Sequence, residues 1–135
     1  MDAKEVLLQF DNYTRKEKFL RSEILQENKL IDALDLPPVR MTRQAKEKLS
    51  QLEDHIKIYE EDLDRISIEK KRILDLISQI PGVEGEVLKR RYVDGEIWED
   101  ICEGVSYSWQ GVFKIHRRAL RMVQDLLDQS DLFDT

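Results

Sequence analysis

Apolar residues return along the first part of the chain at three- and four-residue steps. Val6, Phe10, Tyr13, Leu20, Ile24, Ile31 and Leu34 are separated by such steps or by whole multiples of them, and no proline or glycine falls between residues 3 and 34. This pattern predicts one long helix with a heptad seam. Glu17 and Glu27 occupy two seam positions, where a polar side chain lowers stability but fixes register or oligomeric state. The pattern stops at Asp35–Thr42, DLPPVRMT. Pro37 and Pro38 lack backbone donors, and Pro37 disfavours helical geometry at Leu36. Thr42 is placed to cap the helix that follows.

A cleaner seam runs through residues 43–80. Leu49, Leu52, Ile56, Tyr59, Leu63, Ile66, Lys70, Ile73, Ile77 and Ile80 alternate strictly by three and four, and only Lys70 among them is charged. Glu60, Glu61, Asp62, Asp64, Arg65, Glu69, Lys71 and Arg72 crowd the other faces, as expected of a solvated surface with weak pairing along the helix. Folding back across the proline loop pairs Leu34 with Leu49, Ile31 with Leu52 and Phe10 with Ile73. The expected result is an antiparallel helical hairpin of coiled-coil type. Two helices alone bury one stripe each, which is marginal. A homo-oligomer is therefore expected, a dimer or higher, built through this hairpin.

Pro81-Gly82 ends the second helix and marks the expected domain boundary. Beyond it the seam pattern gives way to short elements. Val83–Val93 reads as a short helix, with Val83, Val87, Leu88 and Tyr92 apolar and Lys89, Arg90 and Arg91 on its other faces, within reach of phosphates. Asp94-Gly95 reads as a turn. The stretch from Trp98 to Leu120, WEDICEGVSYSWQGVFKIHRRAL, reads as a helix-turn-helix. Ile101, Val105, Tyr107, Val112 and Ile115 supply the crossing contacts, Cys102 is the small residue beside them, Gly104–Ser106 makes the turn and Ser108 caps the second helix. Trp98 belongs to the core, and Trp109 and Phe113 to packing or partial exposure. The second helix carries Lys114, His116, Arg117, Arg118 and Arg121, with no acid between Ser108 and Val123. A basic helix behind a cap suits a phosphate backbone.

The predicted fold is thus all-α: residues 1–80 a helical hairpin for oligomerisation, 81–124 a small helix-turn-helix domain and 125–135 an acidic tail. Composition agrees with long exposed helices, since 37% of the 135 residues are charged and 7% aromatic. A net charge of −6 does not by itself point to a polyanion. The distribution does, because Asp125, Asp128, Asp131 and Asp134 all follow the basic helix and leave it a local cationic face. Cys102 is the single cysteine, so no internal disulfide and no zinc cluster is expected. No glycine-rich phosphate loop or nucleophile–base pair is present, and neither an enzyme nor a cofactor is expected. The chain has no apolar run of membrane-spanning length, and MDAKEVLLQF lacks the basic start and apolar stretch of a signal peptide. These features lead to an expected cytoplasmic location.

Residues 84–120 resemble region 4 of bacterial sigma-70 factors. The residues that carry the likeness are Leu88, Arg91-Tyr92, Asp94-Gly95, Glu99, Ile101, Ser108 and Arg118-Ala119-Leu120. A nearer likeness is to ArpU-type late-operon regulators of phages and prophages of Gram-positive bacteria, through the series Arg-Tyr-x-x-Gly, Trp-Glu-x-Ile, Tyr-Ser and His-x-Arg-Ala-Leu. That resemblance implies a phage-encoded transcriptional regulator of late-gene promoters, acting on double-stranded DNA in the bacterial host cell, with host RNA polymerase as a possible partner. It implies a groove-facing set of Ser108, Trp109, Gln110, Lys114 and Arg117, with Arg91, Arg118 and Arg121 as phosphate or structural residues. Ser106 stands where the family commonly has a turn glycine, and Gln110 and Gly111 where it often has arginine or another polar residue. Two other readings stay open: a small terminase-type DNA-packaging subunit, and an RNA polymerase adaptor without DNA specificity of its own.

Overall fold

The computed structural model describes residues 2–34 and 37–133 and is all-helical, with no strand among the described residues. Helix α1 spans Ala3–Leu34. Its start is held by a reciprocal cap: the Glu5 backbone N–H donates to the Asp2 carboxylate at 2.8 Å, and the Asp2 N–H to Glu5 Oε2 at 3.4 Å, which satisfies orphan donors of the first turn. A short 3-10 turn covers Pro38–Arg40. The expected effect of Pro37 on Leu36 lies outside the described residues. Helix α2 spans Arg43–Ser78, and the Ala45 N–H donates to Thr42 Oγ1 at 3.1 Å, so Thr42 caps it.

Helix α3, Gly82–Leu88, starts from Gly82 in the left-handed region (φ 70°). A π turn over Lys89–Val93 follows, closed by the Asp94 N–H donating to the Lys89 carbonyl at 2.9 Å. The single helix expected over Val83–Val93 is therefore two elements. The widened turn keeps Leu88 and Tyr92 in one core. Helices α4, Trp98–Val105, and α5, Trp109–Phe133, complete the chain. The expected acidic tail is the continuation of α5. Asp134 and the side chains of Asp131, Leu132 and Phe133 lie outside the described residues.

Two compact units are present: residues 1–13 with 69–135, and residues 14–68. Pro81-Gly82, expected to divide domains, turns the chain within the first unit. Ile80 before the turn and Leu88 after it share a core with Ala3, Leu7, Phe10, Ile73, Ile77, Tyr92, Ala119 and Val123. Leu7, Leu88, Ala119 and Val123 are fully buried, and each such leucine or valine contributes about 1.5–3 kcal/mol. The Ala3 N–H donates to Gln124 Oε1 at 2.8 Å, which ties the start of α1 to α5. A second cluster joins Val87, Ile101, Cys102, Val112 and Ile115, edged by Val83, Trp98 and Val105.

In the unit of residues 14–68, Leu20, Leu52 and Ile66 are buried. Glu27 sits on the seam with one carboxylate oxygen 3.5 Å from His55 Nδ1. Its other oxygen is buried without a hydrogen-bond partner among the described residues. No helix of the described residues is long and apolar enough to cross a membrane.

Candidate nucleic-acid interface

Helix α4 begins after the extended residue Ile97, without a side-chain cap. Glu99 and Asp100 lie in its first turn, where negative charge complements the helix dipole. The helix closes at Val105, because the backbone N–H groups of Ser106 and Tyr107 both turn back to the Cys102 carbonyl. The turn is therefore Ser106–Ser108, not the expected Gly104–Ser106, and Gly104 remains helical. Ser106 takes the left-handed step at φ 61°, a conformation that costs a non-glycine residue about 1 kcal/mol. Tyr107 is also displaced from its expected place in the crossing. It is 49% exposed, because it belongs to the turn and not to either helix.

Ser108 starts α5 as expected. Its hydroxyl accepts the Gly111 N–H at 3.1 Å, and its carbonyl accepts the Val112 N–H at 2.8 Å. Ser108→Ala leaves that donor without its acceptor and is expected to lower stability by about 1 kcal/mol, read as a shift in the urea midpoint. An unchanged midpoint would show that the cap contributes nothing.

The inner face of α5 is Val112, Ile115, His116, Ala119 and Val123, all buried. His116 was expected on the basic face and is instead a core residue. Its Nε2 lies 2.7 Å from the Tyr92 hydroxyl oxygen, a hydrogen bond, and its ring meets Trp98 edge-on at 4.8 Å. Burial, reinforced by the charges of Lys4 and Arg91, lowers its pKa to about 4. It carries no charge at neutral pH. Burial also raises the Tyr92 pKa, against a smaller lowering by Arg91, so the pair is neutral on both sides.

The outer face of α5 presents Gln110, Lys114, Arg117 and Arg121, all exposed. Lys114, Arg117 and Arg121 form no ion pair among the described residues. Arg118 is turned to the flank, where its Nη1 lies 3.2 Å from Glu84 Oε1 of α3. With Arg118 and Leu120, the three unpaired cations line a shallow open concavity.

The basic residues of the preceding turn have other partners. Arg90 bridges Glu86 at 3.0 Å and Glu96 at 3.1 Å. Arg91 donates to the Glu96 carbonyl at 3.1 Å and lies over the Trp98 ring at 4.7 Å. Lys89 lies 3.8 Å from Asp94 in an exposed pair, which contributes little. The ten expected site residues thus divide. Lys114, Arg117 and Arg121, with Ser108, Trp109 and Gln110, share the exposed side and start of α5. Lys89, Arg90 and Arg91 bind acids and an aromatic ring within the fold, and Arg118 binds Glu84.

Beside the cationic face lies an aromatic one. Trp109 is 51% and Phe113 39% exposed, their ring centroids are 5.9 Å apart, and Phe113 leans on Trp98 at 5.1 Å. Phe113 is absent from the expected interface set, although its four-residue spacing from Trp109 and Arg117 puts all three on one side of a helix. Among the described residues, no group of three or more His, Cys, Asp or Glu side chains is placed to hold a metal ion. No protein-family profile, curated protein or solved structure gives a significant match to this chain.

Proposed function

We propose that this chain is a DNA-binding transcriptional regulator in which α4, the Ser106–Ser108 turn and α5 act as a helix-turn-helix, with α5 in the major groove. The observation that carries this reading is the outer face of α5: exposed Lys114, Arg117 and Arg121 without acidic partners among the described residues, directly opposite a fully buried stripe. Cations paired within a fold have little left for an outside ligand, whereas a row of unpaired ones suits phosphates. The likeness of residues 84–120 to sigma-70 region 4 and to ArpU-type regulators supports the same reading. It narrows the reading to late-gene promoters of a phage within its bacterial host.

In this reading α1 and α2 form an antiparallel hairpin that joins copies of the chain. The contacts of Phe10 with Lys70 and of Glu27 with His55 fall within one helical turn of the register that pairs Phe10 with Ile73 and Leu34 with Leu49, and so support the pairing. A dimer presents two α5 helices to half-sites about one turn of DNA apart.

The test is capture of fragments of the source genome on the purified chain at two salt concentrations. One promoter-proximal site, held less well at high salt, is expected. Lys114→Ala and Arg117→Ala should each weaken binding across all sequences and reduce the slope of log K against log salt by about 1. Absence of salt-sensitive binding rules the reading out. A second reading, an adaptor that docks on RNA polymerase, is favoured by one feature: Glu99, Asp100 and Glu103 of α4 are exposed and suit a basic protein partner better than DNA.

A further inference from the structure

Two rows of side chains run along the exposed side of α5. Trp109, Phe113 and Arg117 succeed one another by four residues, and Gln110, Lys114, Arg117 and Arg121 by four, three and four. Such rows are neighbours on a helix surface, and these two meet at Arg117. The aromatic row is held in place. Phe113 rests on Trp98, Trp98 is covered by the Arg91 guanidinium and by His116, and Trp109 rests on Phe113. Its two outer rings are nonetheless left open to solvent. A fixed apolar strip beside a row of unpaired cations is suited to a ligand that is anionic along one line and apolar at regular points beside it.

Duplex DNA offers that combination in its major groove, where thymine alone carries a methyl group on the base edge. Phosphate contacts place a protein but carry no sequence information, so the cationic row cannot discriminate among bases. We propose that Trp109 and Phe113 read thymine, packing against 5-methyl groups in the major groove while Lys114, Arg117 and Arg121 hold the flanking phosphates. This rests on the DNA-binding reading above and adds a base preference to it. Gln110, one residue along from Trp109, is placed for the adenine of the same pairs, whose N6 and N7 suit a carboxamide.

The test compares two labelled duplexes of equal length, alternating d(A-T) and alternating d(A-U), which differ only in the methyl group. Binding of the full chain to each is followed by fluorescence anisotropy. The d(A-U) duplex should bind about 4-fold more weakly for each methyl contacted. Lys114→Ala should weaken both duplexes alike and keep their ratio. Trp109→Ala should bring the ratio towards one. Phe113→Leu, which stays apolar over Trp98, should keep part of it. Because the wild-type comparison needs no substitution, a variant that fails to fold does not affect the result. Equal, salt-sensitive binding to both duplexes would overturn the thymine assignment and leave DNA binding standing. Binding to neither would overturn both. Tighter binding to single-stranded oligo(dT) than to the d(A-T) duplex would assign the aromatic row to stacking on unpaired bases, and would equally overturn the proposal.

Discussion

Gly85→Ala should destabilise the chain by about 2–3 kcal/mol, although alanine in a helix is ordinarily favoured over glycine by about 1 kcal/mol. The sign is inverted by what surrounds the position. Gly85 is buried in α3, and a Cβ there would fall on the backbone carbonyl oxygen of Ile80 and lie 3.1 Å from its carbon. That oxygen belongs to the turn that follows α2, and backbone cannot swing aside as a side chain can. The approach is set by Gly82, whose left-handed φ of 70° turns α3 sharply after Pro81. Gly104→Ala is the control. Its Cβ would meet the guanidinium of Arg90, with Cζ at 2.8 Å, and the end of a long side chain can move at small cost. Urea denaturation should therefore show a large drop for the first variant and little change for the second. Equal stability of Gly85→Ala and the parent would mean that α3 does not close on α2 in this way.

Acid should weaken the fold through His116. Its folded pKa is lowered to about 4, below the roughly 6.5 of an unfolded histidine. Above pH 6.5 the ring is neutral in both states and the contribution is fully present. As pH falls from 6.5 towards 4, the unfolded chain takes the proton and the folded one resists it, so stability is lost across that window. By pH 4 the loss is on the order of 3 kcal/mol. The cause is first the burial of the ring, then the charges of Lys4 and Arg91, and the ring's hydrogen-bond partner Tyr92 is itself kept neutral by burial. Carboxylates also titrate in this range, so the informative quantity is a difference. Between pH 7 and pH 4 the wild type should lose about 3 kcal/mol more than His116→Gln. Parallel losses in the two proteins would show that His116 does not resist protonation in the fold.

The parts of the fold that could be read from the sequence are those fixed by near neighbours. Thr42 and Ser108 cap their helices because a cap needs only a hydroxyl and the N–H three residues on. The seam of residues 43–80 follows its spacing, and Leu52, Ile66, Ile73, Ile77 and Ile80 are buried. Features that depend on distant partners could not be read in this way. Periodicity identifies the apolar side of α1, but nothing in it says that Ala119 and Val123 would share a core with Leu7. A glycine at position 85 looks like any helical glycine until the Ile80 carbonyl is placed beside it. His116 is a different case. It stands beside Arg117, and by neighbourhood alone it reads as one of the cations. Yet Val112, Ile115, Ala119 and Val123 define a stripe that includes position 116, and a histidine on such a stripe is core before it is charge. On the outer face of α5, the charge of Lys114, Arg117 and Arg121 is visible in the sequence. The diversion of Arg118 to Glu84 and of Arg91 to Trp98 depends on the path of the chain.

The bond from the Ala3 N–H to Gln124 joins residues 121 positions apart, and this bears on how the polypeptide is made. Leu7 and Phe10 leave the ribosome well before Ala119 and Val123 of their core. That core cannot close before α5 has emerged. Until α5 emerges, the nascent chain must carry the apolar surface of Leu7 and Phe10 exposed. Closing the loop is not itself expensive, since its entropy grows only with the logarithm of length. The consequence is one of timing. While that helix is still within the ribosome, Leu7 and Phe10 remain open to whatever chaperone or neighbouring nascent chain reaches them first.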